Sequence, residues 1–166
     1  MSLLYTRIAS PLGPLLAAGT PEALHYLFFS KGPKAQEPAP EWREDPAPFA
    51  EVARQLGEYF AGQRRDFALP LAPRGSAFQK EVWAYLTTIP YGQTRSYGEI
   101  AQHLQKPGAS RAVGLANGSN PLPILLPCHR VIGADGSLTG FGGGMAAKEH
   151  LLRLEGVPVK AQLSLF

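Results

Sequence analysis

The sequence predicts an α/β N-terminal domain over residues 1–74 and a mainly α C-terminal domain over residues 75–166 that carries a helix-turn-helix. Three observations predict it. Short β-competent runs fill the first thirty residues, a cluster of Pro70, Pro73 and Gly75 interrupts the chain near residue 74, and beyond it apolar residues recur at helical spacing behind capping serines.

In order, residues 3–9, 15–18 and 24–29 read as strands, punctuated by Pro11, Gly13, Pro14, Gly19 and Pro21. Residues 31–48 hold five prolines and read as an extended loop. Phe49, Val52, Ala53, Leu56, Tyr59 and Phe60 share one helical face ended by Gly62, and residues 67–71 form another short strand. Nothing in this half looks chemical, so it is expected to be scaffold.

In the second half Ser76 caps a helix over residues 78–86, whose face is Phe78, Val82, Trp83 and Leu86. Ser96 caps a second helix over residues 97–104, with Glu99 placed for a capping box. Lys106-Pro107-Gly108 makes a tight turn, and Ser110 caps a third helix from Arg111. Two short helices joined by a glycine-containing turn fit either a helix-turn-helix or an ordinary αα-hairpin. The third helix is built of small residues (Ala112, Gly114, Ala116, Gly118), and its glycines cost about 1 kcal/mol each against alanine. Small residues let a helix backbone approach a neighbouring helix or the floor of a DNA groove. Residues 145–155 form the last helix, with Gly156 as the residue past its end. Glu155 in its last turn opposes the helix dipole, a broken local rule of the kind found at functional sites.

Composition excludes several classes. The apolar share of 45% is that of a globular protein, and no apolar run is long enough to span a bilayer. No secretory signal pattern follows Met1-Ser2, so a cytoplasmic protein is expected. A single cysteine forms no internal disulfide and supplies no multi-cysteine zinc site, and the four histidines show no ligand spacing; neither metal nor cofactor is expected. Nothing demands more than a monomer. The net charge of +3 arises in residues 75–166, where eight Lys/Arg face five Asp/Glu, a bias compatible with a nucleic-acid partner.

The chemical candidate is Pro127-Cys128-His129-Arg130-Val131, following the apolar run Ile124-Leu125-Leu126. A lone cysteine is usually a small buried hydrophobe. Here an adjacent imidazole and a proline-directed turn favour a nucleophile, and an imidazolium with a well-placed hydrogen bond could make the thiolate dominant. The glycine-rich stretch from Gly133 to Gly144 lacks nucleotide-binding spacing but is suited to walling a pocket.

From about Phe78 to Gly156 the chain resembles the O6-alkylguanine-DNA alkyltransferases. The resemblance rests on Pro127–Val131, Ser110-Arg111-Ala112-Val113-Gly114, Gly118-Ser119-Asn120-Pro121, Ser96-Tyr97, and Lys148-Glu149 with Glu155-Gly156. It implies a ribonuclease H-like sheet in the first domain and a helix-turn-helix that enters the minor groove of double-stranded DNA. It further implies irreversible transfer of an alkyl group from O6-alkylguanine to Cys128, O4-alkylthymine being a further candidate lesion.

By the same resemblance His129 deprotonates Cys128 through a water, and Glu155 orients the imidazole. Tyr97 supplies or shares a proton with the leaving base. Asn120 links the helix-turn-helix to the cysteine segment, and Arg111 enters the base stack left by the flipped nucleotide. Ser96, Ala112 and Gly114 fall on the DNA side, while Phe141, Gly142 and Lys148 belong to the substrate pocket. Many relatives carry tyrosine and a small or hydroxyl residue at 141–142, so the pocket here lacks that phenol and hydroxyl. A thiol hydrolase and a pure DNA-binding module are the rival readings.

Overall fold

The chain opens as an antiparallel meander in the computed structural model, which describes residues 2–159; residues 160–166 of the expected second domain lie outside these. Strands β1 (Leu4–Ile8), β2 (Leu15–Gly19) and β3 (Leu24–Phe29) stand where the sequence places them. Every residue of β2 is buried, so the strand is covered on both faces, as its unbroken Leu-Leu-Ala-Ala-Gly run requires. The sheet order is β3-β2-β1-β4, where β4 (Arg43–Glu44) pairs parallel with β1 inside the expected loop. Two exposed charged residues carry no apolar alternation, so this strand was invisible to periodicity.

A 3-10 turn (Ala47–Phe49) leads into α1 (Ala50–Phe60), which buries Val52, Leu56 and Tyr59. The expected strand at residues 67–71 does not form. Only Leu71 bridges to Leu24, with Leu24 N donating to Pro70 O at 2.9 Å and Ala72 N to Leu24 O at 2.8 Å. Pro70 and Pro73 have no N–H to extend that ladder.

Helix α2 (Ala77–Leu86) begins at a capping box in which Ser76 and Gln79 satisfy each other's N–H groups. Helix α3 (Tyr97–His103) carries the expected Ser96–Glu99 box, with bonds of 3.1 and 2.8 Å. It ends as Gln105 takes φ +60° and Lys106 N donates back to Ala101 O at 2.9 Å, a left-handed C-terminal turn that redirects the chain. Helix α4 (Ser110–Gly118) starts one residue earlier than expected. The Ala109 N–H bonds to Lys106 O at 3.0 Å, Ala109 takes the cap position without a side-chain bond, and Ser110 is already helical.

A two-residue parallel pair, β5 (Arg95–Ser96) with β6 (Val131–Ile132), fastens the start of α3 beside the segment that follows Cys128. It is too short to show in sequence. Helix α5 (Met145–Leu154) closes the described chain. One connected hydrophobic core runs through both halves, from Leu15, Leu27 and Leu56 to Leu86, Ile100, Val113, Leu122 and Leu151. Within it Trp83 Nε1 donates to Ala116 O at 2.8 Å, binding α2 to α4.

Candidate active site

Cys128 stands where three local constraints meet. Pro127, at φ −76° and ψ 69°, centres an inverse γ-turn that brings Cys128 N to Leu126 O at 2.7 Å. Residues Cys128–Arg130 then form a single 3-10 turn, so consecutive side chains fan out rather than alternate across a strand. Asn120 fixes the approach: its Nδ2 donates to Leu126 O at 2.7 Å while its Oδ1 accepts from Leu122 N at 2.8 Å. Ile124 lies in this stretch at φ +74°, buried, a conformation strained for a β-branched residue.

Behind the cysteine lies a buried charge cluster. His129 Nε2 and Glu155 Oε2 are 2.7 Å apart, and both side chains are fully buried. Arg130 grips the same carboxylate twice, Nε to Oε1 at 2.8 Å and NH2 to Oε2 at 2.9 Å, while NH1 donates to Ile89 O at 2.7 Å. Tyr59 Oη, from the first half of the chain, donates to Oε2 at 2.5 Å. Burial alone would raise the Glu155 pKa, but the bonds from His129, Arg130 and Tyr59 prevail and hold it at about 2. Burial also depresses the His129 pKa, outweighing the opposing pull of Glu155. The ring is therefore neutral at pH 7, donating through Nε2 to the carboxylate. Nδ1 is left a buried acceptor with no hydrogen-bond partner among the described residues.

The imidazolium that could make the thiolate dominant is not in place at rest. Burial raises the Cys128 thiol to about 11 against smaller lowering effects of Asn120 and Lys148, and no imidazolium stands beside it at rest. The thiol is buried yet lines a cavity of about 470 Å³. The walls include Phe29 of β3, Asn117 to Pro121 of the α4 end, and the loop residues Gly140, Phe141 and Gly142. Phe141 meets Phe29 edge-on at 5.3 Å.

A side chain at Gly142 would crowd Lys34, whose Cβ stands 3.2 Å from the ideal Cβ position. Lys34 spans two of the walls, its N–H donating to Gly142 O at 3.0 Å and its Nζ to Gly118 O at 2.7 Å.

The remaining expected site residues are outside the cavity lining. Tyr97 bonds through Oη to Thr139 Oγ1, and burial raises its pKa, so it is a neutral phenol. Lys148 is not part of the cavity wall; it is buried, with Nζ donating to Val131 O at 2.7 Å and more weakly to Thr139. Burial lowers its pKa to about 8. Gly114 faces the Tyr97 ring, where an added Cβ would meet Cδ1 at 3.7 Å, so its smallness serves packing within the protein. Ser96 spends its Oγ on the α3 cap. Arg111, Ala112 and Leu115 are exposed on α4, and Leu115, at 73% exposure, is the one exposed large hydrophobic among the described residues.

Residues 77–157 match the family model described as 6-O-methylguanine DNA methyltransferase, DNA binding domain, and residues 3–73 match its ribonuclease-like domain. A protein of Methanosarcina acetivorans named methylated-DNA–protein-cysteine methyltransferase is 54% identical over 92% of this chain and 97% of its own. The chain belongs to the O6-methylguanine-DNA methyltransferase family. A namesake from Mycolicibacterium paratuberculosis is 52% identical over 98% of both chains. Among solved structures of the family, the Mycobacterium tuberculosis O6-methylguanine methyltransferase superposes with TM-score 0.86 at 50% identity, covering 99% of each chain. The M. tuberculosis protein in complex with DNA gives TM-score 0.85 at 49% identity, covering 98% of this chain and 99% of that one.

For a methyltransferase of this family, the sequence reading missed three residues that the site uses. Arg130 was quoted only as part of the cysteine motif, yet it is the double anchor of Glu155. Its position two residues after the thiol was the available signal. Tyr59 contradicts the expectation that the first half is chemically silent, and a tyrosine on an apolar helical face gives no hint of a carboxylate 96 residues away. Asn117 borders the cavity, its Nδ2 donating to the Cys128 carbonyl at 3.4 Å.

Proposed function

We propose that this protein repairs O6-alkylguanine in double-stranded DNA by taking the alkyl group irreversibly onto Cys128. The observation that carries the reading is a single thiol on a cavity wall, with the buried His129–Glu155 pair adjoining it in the chain fold. His129 Nδ1, the free acceptor of a neutral ring, takes the thiol proton through a water. The imidazolium so formed is held by Glu155, in the orienter–base–nucleophile logic of a triad. Sulfur then attacks the alkyl carbon in line with its bond to O6. The S–C bond forms as the C–O6 bond breaks, and the electron pair leaves on guanine, which takes a proton that Tyr97 supplies or shares. The thioether has no neighbouring thiol to reverse it, since Cys128 is the only cysteine. One chain repairs one base.

DNA is engaged by α3 and α4 as a helix-turn-helix set in the minor groove, and residues 75–166 form the DNA-binding and alkyl-acceptor domain. Residues 1–74 are the ribonuclease H-like scaffold. Arg111 fills the stack vacated by the flipped nucleotide, offsetting part of the few kcal/mol that extrusion costs. The exposed Ala112 and Leu115 beside it suit a groove whose binders use apolar side chains. Ser96 and Gly114 support this face from the cap of α3 and its contact with α4. Phe141, Gly142 and Lys148 shape the pocket and its rear. The protein acts as a cytoplasmic monomer without metal or cofactor; no helix among the described residues is long and apolar enough to cross a membrane.

Mass spectrometry after incubation with a duplex containing O6-methylguanine tests the reading. One methyl retained on Cys128 is expected, and Cys128→Ser should bind the duplex without reacting. Repeated turnover with unmodified Cys128 would refute it.

A further inference from the structure

Among the buried cations, Lys148 takes no part in the proton transfers above. Its Nζ meets three acceptors: Val131 O at 2.7 Å, Thr139 Oγ1 at 3.3 Å and Thr139 O at 3.4 Å. With a pKa lowered by burial to about 8, it is still mostly an ammonium at pH 7, and an ammonium only donates. Thr139 Oγ1 is therefore an acceptor from Lys148. A hydroxyl also carries one proton of its own. The other group that Thr139 Oγ1 meets among the described residues is Tyr97 Oη. Were Tyr97 to donate in that bond, the Thr139 proton would have no acceptor among them. The bonds therefore run in one direction, from Lys148 to Thr139 to Tyr97, and the phenol proton is left uncommitted. Burial raises the Tyr97 pKa, and the Thr139 bond opposes this, as a bond donated to the phenol oxygen does. The Cys128 sulfur is near enough for its charge to add to the rise. Thr139 directly precedes Gly140, where the loop enters the cavity wall.

We infer that Thr139 is a positioning residue for the alkyl transfer, its hydroxyl, anchored by Lys148, keeping the Tyr97 O–H free for the departing base. The inference rests on the proposed alkyl transfer and on the place of Tyr97 in it. As the C–O6 bond breaks, its electron pair stays on guanine, and the phenol O–H is the donor that answers it. Where the proton passes over completely, the phenolate left behind accepts the Thr139 bond, with the Lys148 charge behind that bond. Without the hydroxyl, the phenol loses both the bond that directs its proton and the donor that would steady its charge.

The test is single-turnover methyl transfer from a duplex carrying O6-methylguanine. Thr139→Val keeps the shape and loses the hydroxyl, and should slow transfer about tenfold, the worth of one hydrogen bond. Thr139→Ser restores the hydroxyl and should stay within about twofold of the wild type. In a Tyr97→Phe background Thr139→Val should add almost nothing, because the group it orients is already gone. Thr139→Ala carries the same comparison should the valine variant not fold. Equal slowing in both backgrounds, a serine variant as slow as the valine one, or a Thr139→Val that is not slowed would overturn the assignment. Tyr97→Phe reacting at the wild-type rate would take the phenol out of the reaction, and this inference with it, while leaving alkyl transfer standing. A wild-type protein that takes no methyl from O6-methylguanine would instead sink the alkyl-transfer reading itself.

Discussion

Replacing Glu155 with glutamine tests the electrostatic frame of the site directly. With its carboxyl held at about 2 against an ordinary 4.5, Glu155 contributes stability that is complete above the unfolded-state value and fades as pH falls through the folded one. The difference corresponds to roughly 3 kcal/mol at pH 7, of which about 2 kcal/mol is gone by pH 3. Glu155→Gln removes this contribution and also strands the Arg130 guanidinium, buried and doubly bonded to the carboxylate. Breaking such a pair costs on the order of 3–5 kcal/mol. Urea unfolding of both proteins from pH 7 to pH 3 should therefore show a wide gap at pH 7 that narrows by about 2 kcal/mol at pH 3. Parallel stability curves over that range would mean that the carboxylate is not held by its neighbours as the geometry requires.

Three further outcomes are expected. Because the resting thiol lies at about 11, alkylation of Cys128 by iodoacetamide should quicken about tenfold per pH unit between pH 7 and 9, and a plateau below pH 8 would reveal a resting thiolate. Arg111→Ala should slow reaction with duplex O6-methylguanine far more than reaction with the free base, whereas equal slowing of both would dismiss the extrusion role. Gly142→Ser should lower stability by about 1 kcal/mol through pressure on Lys34, with the loss shrinking in a Lys34→Gly background that removes the nearest atom, Cβ. An identical loss in both backgrounds would place the strain elsewhere.

What could be read in the sequence was whatever is encoded locally. The Ser96–Glu99 box, the meander strands and the turn at Pro127 follow from residue types within four positions of one another, and the structure holds them all. The two-residue strands β4, β5 and β6 carry no period, so only partners distant in sequence create them. The strand expected at residues 67–71 failed because Pro70 within it and Pro73 just beyond it outweigh its apolar content. In the site the same division holds. Cys128, His129 and the misplaced carboxylate Glu155 stood out in the sequence. The state of the thiol did not, because it depends on burial, which adjacency of cysteine and histidine does not report.

That state bears on how a protein used once could work. A thiolate exposed at rest would react with any passing electrophile, and each such event would consume a molecule. Burial opposes this by keeping the Cys128 proton in place, and the neutral His129 matches it, since a resting imidazolium would stabilise the thiolate. On the proposed mechanism the nucleophile is generated as the thiol proton moves to His129. At that moment the charge created on the ring meets a carboxylate already ionised and held by Arg130 and Tyr59. Tyr59, from the first half of the chain, helps hold that carboxylate, so the site as well as the core joins the two halves of the chain.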